Sequence, residues 1–414
     1  CVRLTIPSTG LDWGRGKSHA ERYAGHDRAS ADGGDMMNTR RVLMVALMLI
    51  ALGAAAGCGE SGSTDPSDEP AATSTSATQP TTSVQGPSTT VEGPSDVVEE
   101  LWRFDAGGAI SSSPVISGGV IYIGSGDSNL YAVDAAGGAE VWRFATGRKI
   151  DSTPAVADGT VYVGGLDHYL YAVDADTGEE KWRMETGGRV NSSPAVSNGT
   201  VYVGGFDTYL HAIEASTGEE RWRFKTVSRI DSSPIVHDGL VFFGSYDKNL
   251  YAVDAATGEE RWRFATTGHV ASRPAVAGEL LYAGSSDGNL YALAYATGEE
   301  RWRFATGDTV SASSPTVSGG VVYIGSSDGH LYAIDGDTGT EVWSFTAGPI
   351  SASPAFSDGV VYVGSFDHNV YAVDAATGEE RWRFGAEATV SSSPAVWEGV
   401  VYVGSQAGFL YALR

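Results

Sequence analysis

Beyond residue 96 the chain sets short apolar runs against small polar clusters, and no apolar stripe keeps a helical period. Residues 230–264, IDSSPIVHDGLVFFGSYDKNLYAVDAATGEERWRF, are representative. Runs rich in Val, Tyr and Phe alternate with Asp-Gly, Gly-Ser and Thr-Gly at spacings of about ten residues, which predicts four strands, SPIV, LVFFG, NLYAVD and ERWRF. Asp238-Gly239 is a tight hairpin signal, and Gly258 supplies a left-handed backbone at the end of a short loop. Pro234 has no N–H to give to a ladder, so the first strand belongs at a sheet edge.

The unit is written eight times. A tryptophan marks each repeat, at Trp102, Trp142, Trp182, Trp222, Trp262, Trp302, Trp343 and Trp382, and a proline does the same from Pro114 to Pro394. YAVDAATGEERWRF stands unchanged at 251–264 and again at 371–384. A period of about forty residues marks a supersecondary unit that cannot bury its apolar face alone and must be stacked. With a proline on each first strand, the sheets are expected to stand radially, that strand innermost around a channel. The last repeat stops at LYALR after its third strand, while an extra fourth strand, VVEELWRF, precedes the first. The fold expected for 97–414 is therefore all-β: an eight-bladed β-propeller of four-stranded antiparallel blades, its ring closed by the N-terminal strand.

The motif Ala, any, Asp, two any, Thr-Gly, three any, Trp is seen at Ala252, Asp254, Thr257, Gly258 and Trp262, and again at Ala372, Asp374, Thr377, Gly378 and Trp382. It resembles the tryptophan-docking motif of the eight-bladed quinoprotein-type (PQQ-like) propellers, which implies that each indole packs between neighbouring blades. Gly137 replaces the Thr, Glu214 and Ala294 replace the Asp, and one extra residue enters near Ser311. Each departure should weaken one turn and leave the ring intact.

The segments before the repeats bear on location. Residues 1–35 read as an upstream extension, and 36–57 as a signal peptide, with Arg40 and Arg41 ahead of VLMVALMLIALGAAAG. Ala55, Ala56 and Gly57 before Cys58 resemble the lipobox of bacterial and archaeal lipoproteins, with Ala55 where leucine is usual; this implies lipidation at Cys58. An uncleaved anchor or a plain secretory signal are the other readings. Residues 58–96, rich in Ser, Thr and Pro and lacking aromatic and basic residues, read as a disordered tether. Cys1 and Cys58 are the only cysteines, which leaves the repeats without a disulfide or a thiolate site. The net charge of −24 argues against nucleic acid and against anionic membrane surfaces, leaving a lipid anchor as the membrane contact.

Function is the harder inference. The quinoprotein resemblance includes pyrroloquinoline-quinone dehydrogenases, which implies a vicinal disulfide and a tryptophan about the quinone, a cation held by Glu, Asn and Asp, and an Asp base. Vicinal cysteines are missing here, and Trp13 and Trp397 are the only tryptophans outside the repeat series. The layout is similar to that of the propeller lipoproteins of outer-membrane assembly, which implies a non-catalytic scaffold. That reading has no catalytic residues, no metal and no cofactor, and it expects a monomer binding an envelope protein or glycan. A PQQ-dependent dehydrogenase and an extracellular ligand or glycan sensor are the alternatives.

Departures from the repeat are the place to seek a partner site, because residues common to all blades serve the fold. The loops leading into blades two to four carry Lys149 with Asp151, Arg189 with Asn191, and Arg229 with Asp231, and the next loop adds His269 and Arg273. A second set of loops, expected on the same face, supplies Leu166, Phe206 and Tyr246. Basic groups among aromatics form a candidate docking patch, unless they only satisfy one another. Asp174-Asp176 and Asp335-Asp337 resemble half of a calcium loop but lack its bidentate Glu.

Replacing Cys58 by serine is expected to release the protein from membranes on cell fractionation. Unchanged membrane association would favour an uncleaved anchor instead.

Overall fold

The computed structural model describes residues 97–414, so the upstream extension, signal peptide, Cys58 and tether lie outside the described residues. The described secondary structure is entirely strand, arranged as eight four-stranded antiparallel sheets. β1 (Glu100–Asp105) precedes the first blade, which is built in order from β2 (Val115–Ser117), β3 (Val120–Gly124), β4 (Asn129–Asp134) and β5 (Glu140–Ala145). Blades two to seven repeat that order.

Blade eight supplies three strands of its own and takes β1 as its outermost strand. Trp102 lies opposite Ala412 and Phe104 opposite Leu410, while Glu99 and Arg414 exchange backbone hydrogen bonds of 2.7 and 2.9 Å. The ring is closed by the N-terminal strand, as the repeat count requires.

First strands of neighbouring blades adjoin about a central channel of about 810 Å³ lined by residues from all eight blades. Each proline sits one residue ahead of its three-residue first strand, as Pro114 precedes Val115, so the missing N–H falls outside the ladder. At Asp238-Gly239 both residues have positive φ, 47° and 73°, the two-residue turn that matches the twist of a hairpin.

No blade owns its core. Tyr202, Leu210 and Ala212 of blade three pack with Val241, Phe243, Tyr251 and Val253 of blade four, and the other apolar clusters likewise span two blades. The cluster of Ile121, Ile123 and Tyr131 with Tyr402, Leu410 and Ala412 joins the first blade to the last. Across each junction an indole reaches the next blade's turn: Trp142 Nε1 donates to the Ala175 carbonyl at 3.0 Å and Trp222 to Ala255 at 3.1 Å. Gly258 is required there twice over, because its φ is +74° and a Cβ would stand 2.6 Å from Trp222. The irregular turns hold: Gly298 still donates to the Ala294 carbonyl at 2.8 Å, and Glu214 pairs with Arg221.

Deleting through Phe104 removes β1 and with it the partly buried Trp102 and Phe104, whose burial is worth about 2–4 kcal/mol together. Deleting through Ser95 removes none of this. Thermal melts of the two truncations are expected to differ accordingly; equal melting temperatures would mean that β1 does not hold the ring.

Candidate functional site

The two sets of loops do share a face. In blades two to four the N–H groups of Leu166, Phe206 and Tyr246 donate to the carbonyls of Lys149, Arg189 and Arg229 at 3.2, 2.9 and 3.0 Å. A turn aspartate ties them further: Asp167 Oδ2 accepts from the Gly147 N–H at 2.6 Å and from the Tyr171 hydroxyl at 2.7 Å. Each pair of loops is thus held by the strands behind it, and the side chains at their tips are positioned by a repeated backbone.

Blade three varies this support. His211 replaces the usual tyrosine and stands between Asp207 and Glu220, at 2.9 and 2.7 Å. Burial works against its charge, but the two carboxylates outweigh that and raise it above its ordinary value.

On the face, the predicted residues resolve into distinct groups. Arg229 lies over Tyr246, 3.7 Å from the ring centroid, and 4.8 Å from that of Phe206. His269 stacks on the same Tyr246 at 4.5 Å with 19° between planes, its Nδ1 2.9 Å from the Tyr246 carbonyl. Four side chains from adjacent loops therefore form one ladder, Phe206, Arg229, Tyr246 and His269. Arg229 Nε also donates to Asp231 Oδ2 at 3.2 Å. Asp231 is the buried partner: its side chain is 10 % exposed, its Oδ1 has no hydrogen-bond partner among the described residues, and burial raises its pKa against the pull of Arg229.

Lys149 is paired with Asp151 at 2.7 Å, so that pair satisfies itself. Arg189 is exposed and meets no carboxylate among the described residues, and Asn191 is half-buried beside it in sequence. Leu166 is buried and offers a partner little. Arg273 stands apart from the others: it lines the central channel, which Lys149, Arg189 and Arg229 do not. Two apolar side chains of the same loops escaped the sequence reading, Val227, 86 % exposed, and Phe366, 45 % exposed. Position 227 holds glycine in most blades, and that departure was the available signal.

These features define a class: a tryptophan-docked eight-bladed propeller whose decoration is confined to loop tips and channel. The chain belongs to the PQQ_2 family, described as outer membrane protein assembly factor BamB, which it matches over residues 99–190, 166–308, 247–351 and 328–414. Among solved structures, BamB from Moraxella catarrhalis is similar at 19 % identity and a TM-score of 0.68, covering 77 % of this chain and 100 % of its own. A europium-containing methanol dehydrogenase is similar at 15 % identity and a TM-score of 0.68, over 77 % of this chain and 93 % of its own. The computationally designed Ika8 protein follows at 20 % identity and a TM-score of 0.65, over 76 % and 98 %. These likenesses are of fold. No curated protein matches the chain in sequence.

Because the fold is shared with dehydrogenases, the residues must be tested against a quinone and its cation. Among the described residues there is no cysteine, no group of three His, Cys, Asp or Glu side chains fit to hold a metal ion, and no carboxylate lining the channel. The donor set does not fit the group.

Arg229→Glu would place a third like charge beside the ladder's buried aspartate and is expected to cost about 1–3 kcal/mol, below the roughly 3–5 of a fully buried pair because Arg229 is 40 % exposed. Arg189→Glu is expected to stay within about 0.5 kcal/mol. Chemical denaturation of the two variants checks the contrast, and equal stabilities would remove the structural role assigned to the ladder.

Proposed function

We propose that this protein is an exported, lipid-anchored propeller that serves as a non-catalytic scaffold at the cell envelope, binding a protein segment on the loop face of blades two to five. The observation that carries the proposal is the Phe206, Arg229, Tyr246 and His269 ladder, a rigid aromatic and cationic surface on an otherwise acidic chain. Beside it, Arg189 offers an unpaired guanidinium and Val227 an exposed apolar side chain. Together they suit a segment carrying carboxylates and apolar side chains. A protein is favoured over a glycan because the Tyr246 ring is already stacked against a guanidinium and an imidazole, leaving little free ring for a sugar. The family description, concerned with outer membrane protein assembly, supports the same class of role. The Cys58 lipidation and the 58–96 tether belong to this reading as its means of attachment.

The test is site-specific photo-crosslinking in cells of the native host. A crosslinker at Val227 or His269 is expected to capture one and the same envelope protein, while one at Asp238, on the hairpin face opposite, captures none of it. Equal capture from both faces, or none from the loop face, would sink the proposal.

A further inference from the structure

Around the channel runs a ring of hydrogen bonds that the repeat builds one blade at a time. The residue before each first-strand proline is Ser or Thr in seven blades, and its hydroxyl accepts the N–H of the equivalent residue in the preceding blade. The bonds run from Ser113 to Thr153 at 3.2 Å, from Thr153 to Ser193 and from Ser193 to Ser233 at 2.9 Å. They resume from Arg273 to Ser314 at 3.1 Å, pass through Ser353 and Ser393 at 2.9 Å each, and return to Ser113 at 3.0 Å. One link is missing. Blade five has Arg273 in place of the hydroxyl, and among the described residues the Ser233 N–H has no acceptor. The first strands of blades four and five are also the pair that meets least closely in the ring.

What the break exposes is a set of donors. Each ring hydroxyl accepts an N–H, and no described group accepts its own proton, so the hydroxyl hydrogens remain for the channel. The Arg273 guanidinium has no carboxylate partner among the described residues, and the surrounding protein pushes its pKa down with no anion to offset this. The other ionisable group lining the channel is His237, whose ring packs edge-on to Tyr295 at 4.9 Å, and no carboxylate lines it at all. An unpaired cation, a free N–H and hydroxyl donors thus converge on one solvent-accessible cavity in a chain of net charge −24. This arrangement lacks only an acceptor-rich anion.

We infer that the central channel is a binding site for a small oxyanion, a carboxylate or phosphate group held by the Arg273 guanidinium and the Ser233 N–H. The guanidinium fork matches either group with two parallel hydrogen bonds. The site is independent of the loop-face scaffold reading, since Arg273 faces the channel and the ladder does not.

The test is isothermal titration of the full chain with inorganic phosphate and, separately, with succinate, at constant ionic strength set by sodium chloride. Saturable binding of at least one probe is expected, and the preferred probe tells a phosphate site from a carboxylate site. Arg273→Ser restores the residue type of the other blades, so it should weaken binding by roughly tenfold or more while melting no lower than the native protein. Arg273→Gln, which keeps a donor but no charge, should weaken binding as well without completing the ring. Absence of saturable binding to both probes, or binding unchanged in both variants, would overturn the inference. A clear drop in the melting temperature of Arg273→Ser would overturn it too, by making the arginine a structural element of the ring.

Discussion

The structure depends on one contact repeated around a circle: an indole laid against a glycine of the next blade, its N–H given to a carbonyl of the same turn. Trp182 reaches the Ala215 carbonyl at 2.9 Å while Gly218 leaves room for its ring, and Trp343 does the same with Ala375 at 3.0 Å and Gly378. A four-stranded blade alone would leave both broad faces in water, so the fold exists only as a set of junctions. A tyrosine of the same blade doubles the link, Tyr162 donating to Ala215 at 3.2 Å and Tyr402 crossing the closure to Ala135 at 3.1 Å. Strand sequence, turn glycine and tryptophan spacing are therefore facets of one constraint, which is why they recur as a single fourteen-residue phrase.

The fold was legible because a constraint repeated eight times is written eight times. Closure was legible for the same reason: a fourth strand before the first repeat and a third strand ending the last leave one pairing to make. The loop face was legible in part. Departures from the repeat at Lys149, Arg189, Arg229 and Tyr246 could be seen, and antiparallel connectivity put their loops on one side. Which of them stack and which pair could not, since that turns on side-chain direction and on neighbours two loops away. Arg273 shows the limit: four residues after His269 it shares a loop with the face residues, yet at that position the backbone turns inward and the side chain enters the channel. Val227 was missed because an aliphatic side chain in a loop carries no chemistry to flag it.

Acidity is also distributed by the repeat. The Glu-Glu of each TGEE turn lies on the hairpin side of the ring, where Glu219, Glu259 and Glu379 are exposed. The cationic departures lie on the loop side. A chain that is strongly acidic overall is thus polarised between its two faces, and long-range attraction would bring an acidic partner to the loop side first.

The departures gather at one junction, that between blades four and five. There Phe242 replaces the tyrosine whose hydroxyl elsewhere binds the next turn, and Arg273 replaces the hydroxyl that elsewhere continues the inner ring, so two of the repeated hydrogen bonds are lost. The same junction carries the Tyr246–His269 stack at 4.5 Å. It also carries a replacement for what was removed: Tyr295, where other turns have Ala or Gly, donates to Asp238 at 2.6 Å and packs edge-on against His237 at 4.9 Å and Phe242 at 6.3 Å. Trp262 still docks, on the Tyr295 carbonyl at 2.9 Å. Loss at the channel and gain at the outer hairpin are what a ring must do to keep its closure while changing its centre, because the eight junctions are mechanically in series and none can be left weak. A neutral drift of repeats would scatter such changes; their concentration, with compensation on the side away from the channel, marks this junction as the place where fold has been traded for a site.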